Sequence, residues 1–248
     1  MANGVSLHAQ VLGEGDDTLC MLHGLLVGSM ATWFFTAAPA LARSHRVVLY
    51  DLRGHGLSDR TLSGYGTAQM VSDLEGVLSA LGVGRIKLVG HSYGALVALR
   101  FALTFPTRAD RLALVEAPLP PSRFEDLVAF ASRPVSELVS SLPGPMARAL
   151  EGGGRRGKRL QASLEFLLGK STLLQDVMAE EDVPDEELAR LSCPALFMYG
   201  ERSSCRSVGD RLAAVVPNGR LRVLPGGHYL HLDCAATLTA GLVEFFRV

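Results

Sequence analysis

The feature that most constrains this chain is a short strand-like run, Arg85 to Val89, that passes without a spacer into Gly90-His91-Ser92-Tyr93-Gly94. The run reads as a strand, and Gly94 to Phe105 reads as a helix ended by Pro106. A strand that becomes a helix across so few residues has little geometric freedom. Its central residue is held in a strained backbone at the helix N-terminus, where the dipole and open amides favour negative charge. Glycines two residues to either side remove the side chains that would collide with neighbouring chain. In this G-x-S-x-G setting Ser92 is the candidate nucleophile.

The rest of the chain repeats the same alternation. Val5 to Leu12, Thr18 to His23, Arg46 to Tyr50, Arg111 to Val115, Ala195 to Tyr199 and Leu221 to Leu224 read as strands. Ala31 to Ala42, Ala68 to Leu81, Ser207 to Val215 and Ala235 to Phe246 read as helices. Strands alternating with helices predict an α/β fold, a mostly parallel sheet covered on both faces, with ligands at the carboxyl ends of the strands. Residues 117–190 differ in composition. They open on Pro118, Pro120 and Pro121, carry Gly152-Gly153-Gly154-Arg155-Arg156 and end in the acidic stretch Glu180 to Glu187. Helical patterns at Phe124 to Ala131, Val135 to Leu142 and Leu160 to Leu168 make this stretch a helical cap inserted into a core of 1–116 and 191–248.

Composition narrows the function classes. A chain of 248 residues, 48% hydrophobic, can bury a large single core. No apolar run approaches the roughly 18 residues of a membrane span, and no basic start followed by an apolar stretch marks a leader, so a cytoplasmic location is expected. A net charge of −1 gives no bias toward nucleic acid or an acidic membrane. The four cysteines form no C-x-x-C and have no histidine at zinc-ligand spacing. They read as free thiols, and neither a metal nor another cofactor is expected.

A hydroxyl needs a base to take its proton. The order serine, acid, histidine places that base after the last strand, where Pro225-Gly226-Gly227 leads into His228. His231 competes, but His228 follows the glycine pair at the loop crest. A developing oxyanion needs aimed amides. The candidates are Tyr93, next to the nucleophile, and Leu25, in the His23-Gly24-Leu25-Leu26 loop. His23 itself reads as a structural residue of that loop.

Taken together, His23-Gly24, Asp51 to Ser58, Gly90 to Gly94 and Gly227-His228 resemble the α/β-hydrolase family in its capped branch. The resemblance implies an eight-stranded, mostly parallel sheet and a serine acyl hydrolase acting through an acyl-enzyme. Its third triad member departs from the pattern. Ser203 stands where the family usually has an aspartate after the seventh strand. Glu201 on the same loop and Glu116 at the end of Arg111 to Val115 are the carboxylates that could serve. Glu116 is favoured, an arrangement similar to polyketide-releasing thioesterases whose acid follows the sixth strand. The substrate implied is a small-molecule ester or thioester, with an acyl carrier protein as a candidate partner docking on Arg155, Arg156, Lys158 and Arg159. C–C bond hydrolysis on the same triad is an alternative, as is a non-hydrolytic lyase or ligand-binding member of the fold.

Overall fold

In a computed structural model, residues 1–119, 133, 137–138 and 154–247 are described. Seven strands form one sheet: β1 (Ala9–Leu12), β2 (Thr18–Leu22), β3 (Arg46–Tyr50), β4 (Ile86–His91), β5 (Ala109–Val115), β6 (Ala195–Gly200) and β7 (Gly219–Leu224). Their spatial order is β1-β3-β2-β4-β5-β6-β7, and every pair is parallel except β1 with β3. Seven of the eight expected strands are thus present among the described residues. The alternation from Val5 is strand only at Ala9–Leu12, while Ala2 and Val5 form an isolated bridge.

The central strands β2, β4 and β6 are buried at every position because both faces are covered. Successive side chains feed two separate cores. Cys20, Leu22, Val48 and Tyr50 face α3 (Thr67–Ala80) and α4 (Tyr93–Thr104), whereas Leu19, Met21, Val47 and Leu49 face Trp33, Leu41, Leu238 and Leu242. The expected helix over Ala31 to Ala42 is instead two short ones, α1 (Ala31–Phe34) and α2 (Ala38–Leu41). Pro39 explains the break, since it has no amide to continue the ladder and its ring crowds the preceding turn.

Between β5 and β6 lie α5 (Arg155–Gly169), α6 (Leu173–Met178) and α7 (Asp185–Leu188). The helical pattern at Leu160 to Leu168 falls within α5; those at Phe124 to Ala131 and, apart from Glu137 and Leu138, Val135 to Leu142 lie outside the described residues. Carboxylates fasten this segment to the core. Asp176 accepts from the Gly64 and Tyr65 amides at 3.1 and 2.8 Å, and Glu180 from the Thr67 amide and hydroxyl at 2.5 and 2.6 Å. After β6 come α8 (Arg206–Val215), then α9 (Leu230–Asp233) and α10 (Ala235–Phe246). No helix among the described residues is long and apolar enough to cross a membrane.

Candidate active site

Ser92 lies between β4 and α4 with φ 53° and ψ −127°, a left-handed value that side-chain-bearing residues rarely adopt. The close chain passage explains the flanking glycines. A Cβ on Gly90 would sit 2.3 Å from the Ala95 Cα, and one on Gly94 would sit 2.4 Å from the His23 carbonyl oxygen. The Ser92 amide donates to the Val115 carbonyl at 2.9 Å, which ties the turn to the end of β5. Among the described residues four non-glycines have positive φ, and three of them, Leu26, Ser92 and Glu116, stand at the carboxyl ends of the strands. Strain of about 1–3 kcal/mol at each such residue persists where surrounding structure enforces it, commonly at functional sites.

His228, on the loop after β7, places Nε2 3.0 Å from the Ser92 hydroxyl oxygen. Its Nδ1 is 3.3 Å from a carboxylate oxygen of Glu116. A carboxylate partner assigns the proton to Nδ1, leaving Nε2 as the acceptor for the serine proton. Glu116 is wholly buried and is held from the neighbouring strand end. The Gly200 amide donates to Oε1 at 2.5 Å, and the Ser203 hydroxyl donates to Oε2. Ser203 in turn accepts from the Cys205 amide at 3.1 Å. Glu201 points outward, 54% exposed, and pairs with Arg202 at 2.7 Å. Of the two carboxylates left open by the sequence, Glu116 meets the His228 ring and Glu201 meets solvent, while Ser203, at the usual acid position, meets Glu116.

The histidines near Ser92 separate electrostatically. Burial acts to lower the His228 pKa, but Cys205 and Glu116 beside the ring outweigh it and lift the value to about 9. Burial pushes His231 down to about 4, and the neighbouring His228 adds to that. Burial also holds His91 well below the usual range and takes His55 to about 3. His231 is buried, its ring edge-on to His91 with centroids 4.8 Å apart, and neither of its nitrogens has a hydrogen-bond partner among the described residues. His23 spends both nitrogens on the fold, donating from Nδ1 to the Gly24 carbonyl at 2.7 Å and accepting at Nε2 from the Leu52 amide at 3.0 Å.

The loop over Ser92 is set by His55, whose Nε2 accepts from the Leu26 amide at 2.9 Å. That bond uses the Leu26 donor; the adjacent Leu25 amide has no partner among the described residues. Leu25, Ser92, His228, Tyr229 and His231 border a cavity of about 30 Å³. A second cavity of about 280 Å³ lies beside it, lined by Val27, Met30, Leu160, Ser163 and Arg159 of the basic run, which opens α5. A larger space of about 720 Å³, between β7 and α10, lies at the amino ends of the strands, away from Ser92. Arg53 and Ser58 rigidify their loop: Arg53 clasps Asp73 through two 2.7 Å bonds, and Ser58 donates to the Asp51 carbonyl at 2.5 Å.

Two residues were missed by sequence reasoning. His91 donates from Nε2 to the His228 carbonyl at 2.9 Å, which ties down the loop that carries His228. Its only signal was its place beside Ser92 in the turn. Cys205 lies against the His228 ring, and its spacing from other ligand residues gave no sign of this.

A family model described as alpha/beta hydrolase fold matches residues 17–142. The 2-hydroxy-6-oxononadienedioate/2-hydroxy-6-oxononatrienedioate hydrolase of Burkholderia vietnamiensis is 29% identical over 264 residues, covering 97% of this chain and 91% of that one. Among solved structures, a hydrolase from Pseudomonas aeruginosa PA01 superposes with a TM-score of 0.80 at 25% identity, over 100% of this chain and 97% of its own. The enol-lactonase of Burkholderia xenovorans LB400 shares the fold, with a TM-score of 0.78 at 23% identity over 100% of this chain and 98% of its own.

Proposed function

This chain belongs to the α/β-hydrolase family and is a hydrolase, and on that premise we propose that it is a serine hydrolase that cleaves an ester or thioester through an acyl-enzyme. The observation that carries the reading is the continuous line from Ser92 to His228 Nε2 at 3.0 Å and from Nδ1 to Glu116 at 3.3 Å. His228 takes the hydroxyl proton as Ser92 attacks the carbonyl carbon. The Leu25 and Tyr93 amides hold the oxyanion, with Ser92 at the N-terminus of α4 where negative charge is favoured. His228 then hands its proton to the leaving alcohol or thiol. Water, activated by the same ring, releases the acid and restores Ser92. The cavity of about 30 Å³ beside Ser92 exceeds the roughly 10–15 Å³ that one water requires.

Residues 117–190 serve in this reading as a lid, and a carrier-borne acyl thioester is one form of the substrate, with the basic start of α5 as its docking face. A second reading, hydrolysis of a C–C bond next to a carbonyl, is favoured by the Burkholderia vietnamiensis relative, whose name gives it a dienedioate-type substrate. A fluorophosphonate probe and a substrate panel test both. Labelling of the native protein that disappears in Ser92→Ala, with turnover of a p-nitrophenyl ester or an acyl thioester, supports the first reading. Turnover confined to a vinylogous 1,5-diketone supports the second, and absence of labelling overturns serine catalysis.

A further inference from the structure

We propose that Glu116, Cys205 and His228 together form a binding site for a divalent cation of the zinc class, and that its occupancy shuts off hydrolysis. The shut-off rests on the reading of His228 as the base; the site itself does not. The Cys205 sulfur, a ring nitrogen of His228 and a carboxylate oxygen of Glu116 lie within 4.8 Å of one another. They come from three separate strand ends, β5, β6 and β7, which is why no ligand spacing is visible in the chain. Cys205 is 5% exposed and Glu116 is wholly buried, so the ligand atoms are shielded from bulk solvent.

The donor set suits zinc in chemistry and in shape. Thiolate, imidazole and carboxylate are its usual ligands, and a thiolate favours it over magnesium or calcium. With nitrogen and oxygen ligands at about 2.0–2.1 Å, tetrahedral geometry separates the two donors by about 3.4 Å. Nδ1 of His228 and Oε2 of Glu116 already stand 3.3 Å apart. A nitrogen–sulfur edge in the same geometry is about 3.6 Å, so from within 4.8 Å the sulfur has at most about 1.2 Å to close. Water completes the fourth position.

Binding is a proton exchange with no change of oxidation state. The Cys205 thiol gives its proton to solvent as the sulfur–metal bond forms. The proton on Nδ1 of His228 is displaced, to solvent when the ring is charged and to Nε2 when it is neutral, so the ring ligates through Nδ1 as a neutral imidazole with its proton on Nε2. Two negative ligands against a doubly charged cation leave a neutral, buried complex. The Nε2–H now faces Ser92 and can only donate, which is the wrong tautomer for a base.

The test uses the full chain in metal-chelated buffer, with Co²⁺ as the spectroscopic probe and Zn²⁺ as the inhibitor. The expected result is one equivalent of Co²⁺ bound with a thiolate-to-cobalt charge-transfer band, and loss of turnover with Zn²⁺ that EDTA reverses. Cys205→Ser should abolish the band and weaken zinc inhibition, relative to its own metal-free rate, by more than the roughly tenfold that even an outer partner costs. Glu116→Gln, read by the cobalt band alone, should weaken binding as well. A native protein without the band, or a Cys205→Ser protein that keeps it, overturns the metal site and leaves the serine reading untouched. A band that depends on Cys205 without any loss of turnover keeps a thiolate site and overturns the shut-off.

Discussion

The ends of β5 and β6 stand side by side beneath the His228 ring, and they do different work. The end of β5 contributes a fully buried carboxylate from Glu116, on a residue with φ 57°. The end of β6 contributes donors: the Gly200 amide and the Ser203 hydroxyl, both directed at that carboxylate. In the more common family arrangement the β6 side holds the acid. In the proposed triad the acid stands one strand inward, and the residue at the usual place, Ser203, donates to it. On that proposal the acid is specified by a position in space under the imidazole, reachable from either strand end. Whichever strand supplies the carboxylate, the other must supply hydrogen-bond donors, because a buried carboxylate without partners is costly.

The largest effect that tests this division is Glu116→Gln. The amide keeps the shape but cannot hold the Nδ1 proton, so turnover at the plateau should fall about 10³–10⁴-fold, the scale seen when a triad acid is neutralised elsewhere. The pH profile separates a chemical loss from a structural one. A base works only when neutral, so native activity is lost as pH falls through about 9, the lifted His228 value. Removing Glu116 removes one of the groups that lift it. Burial then counts for more, and the acid limb should move to lower pH. A kcat/KM profile that falls in amplitude with an unmoved limb would break the comparison.

Ser203→Ala should produce a smaller effect with the opposite sign in pH. Losing the hydroxyl removes a donor to Oε2, the oxygen that also faces His228, so more of the carboxylate's charge is left for the ring. The acid limb should rise, while looser positioning lowers the plateau by about tenfold, in line with about 1.5 kcal/mol for a hydrogen bond to a charged group. The double variant Glu116→Gln with Ser203→Asp sharpens the point: activity recovered from the single Glu116→Gln level shows that the β6 end can still take the acid. A Ser203→Ala profile identical to native makes the hydroxyl a bystander.

Much of this is legible in the amino-acid sequence itself. The strand-turn-helix around Ser92 constrains its own geometry, and the alternation of apolar runs fixed the layer order because each pattern has one physical outlet. The loop crest after Gly226-Gly227 carried His228 to its place for the same reason. What was not legible came from packing between segments far apart in sequence. Glu116 and Glu201 differ in no local property that the sequence displays; they differ in which way the backbone turns at the strand end, and the positive φ of Glu116 is a product of the surrounding fold. His91 under the base loop and Cys205 behind the ring belong to the same class, since each acts across elements. The helix read over Ala31 to Ala42 failed for a local reason, because the apolar periodicity outweighed the single Pro39 that divides it.

The smallest expected effect is the most exacting test of the comparison. Glu201 is separated from Ser203 by one residue and lies on the loop where the family's acid is usually found. Its side chain is 54% exposed and its partner, Arg202, is 68% exposed. An exposed pair of this kind contributes little, about 0–1 kcal/mol at most, and its charge is screened from the ring by solvent and salt. Glu201→Gln should therefore leave kcat, KM and the acid limb within about twofold of native, a change of about 0.4 kcal/mol or less. The same pH profile used for Glu116→Gln provides the measurement. A large loss in Glu201→Gln would mean that this loop swings inward during turnover and that the resting contact between His228 and Glu116 is not the one that acts.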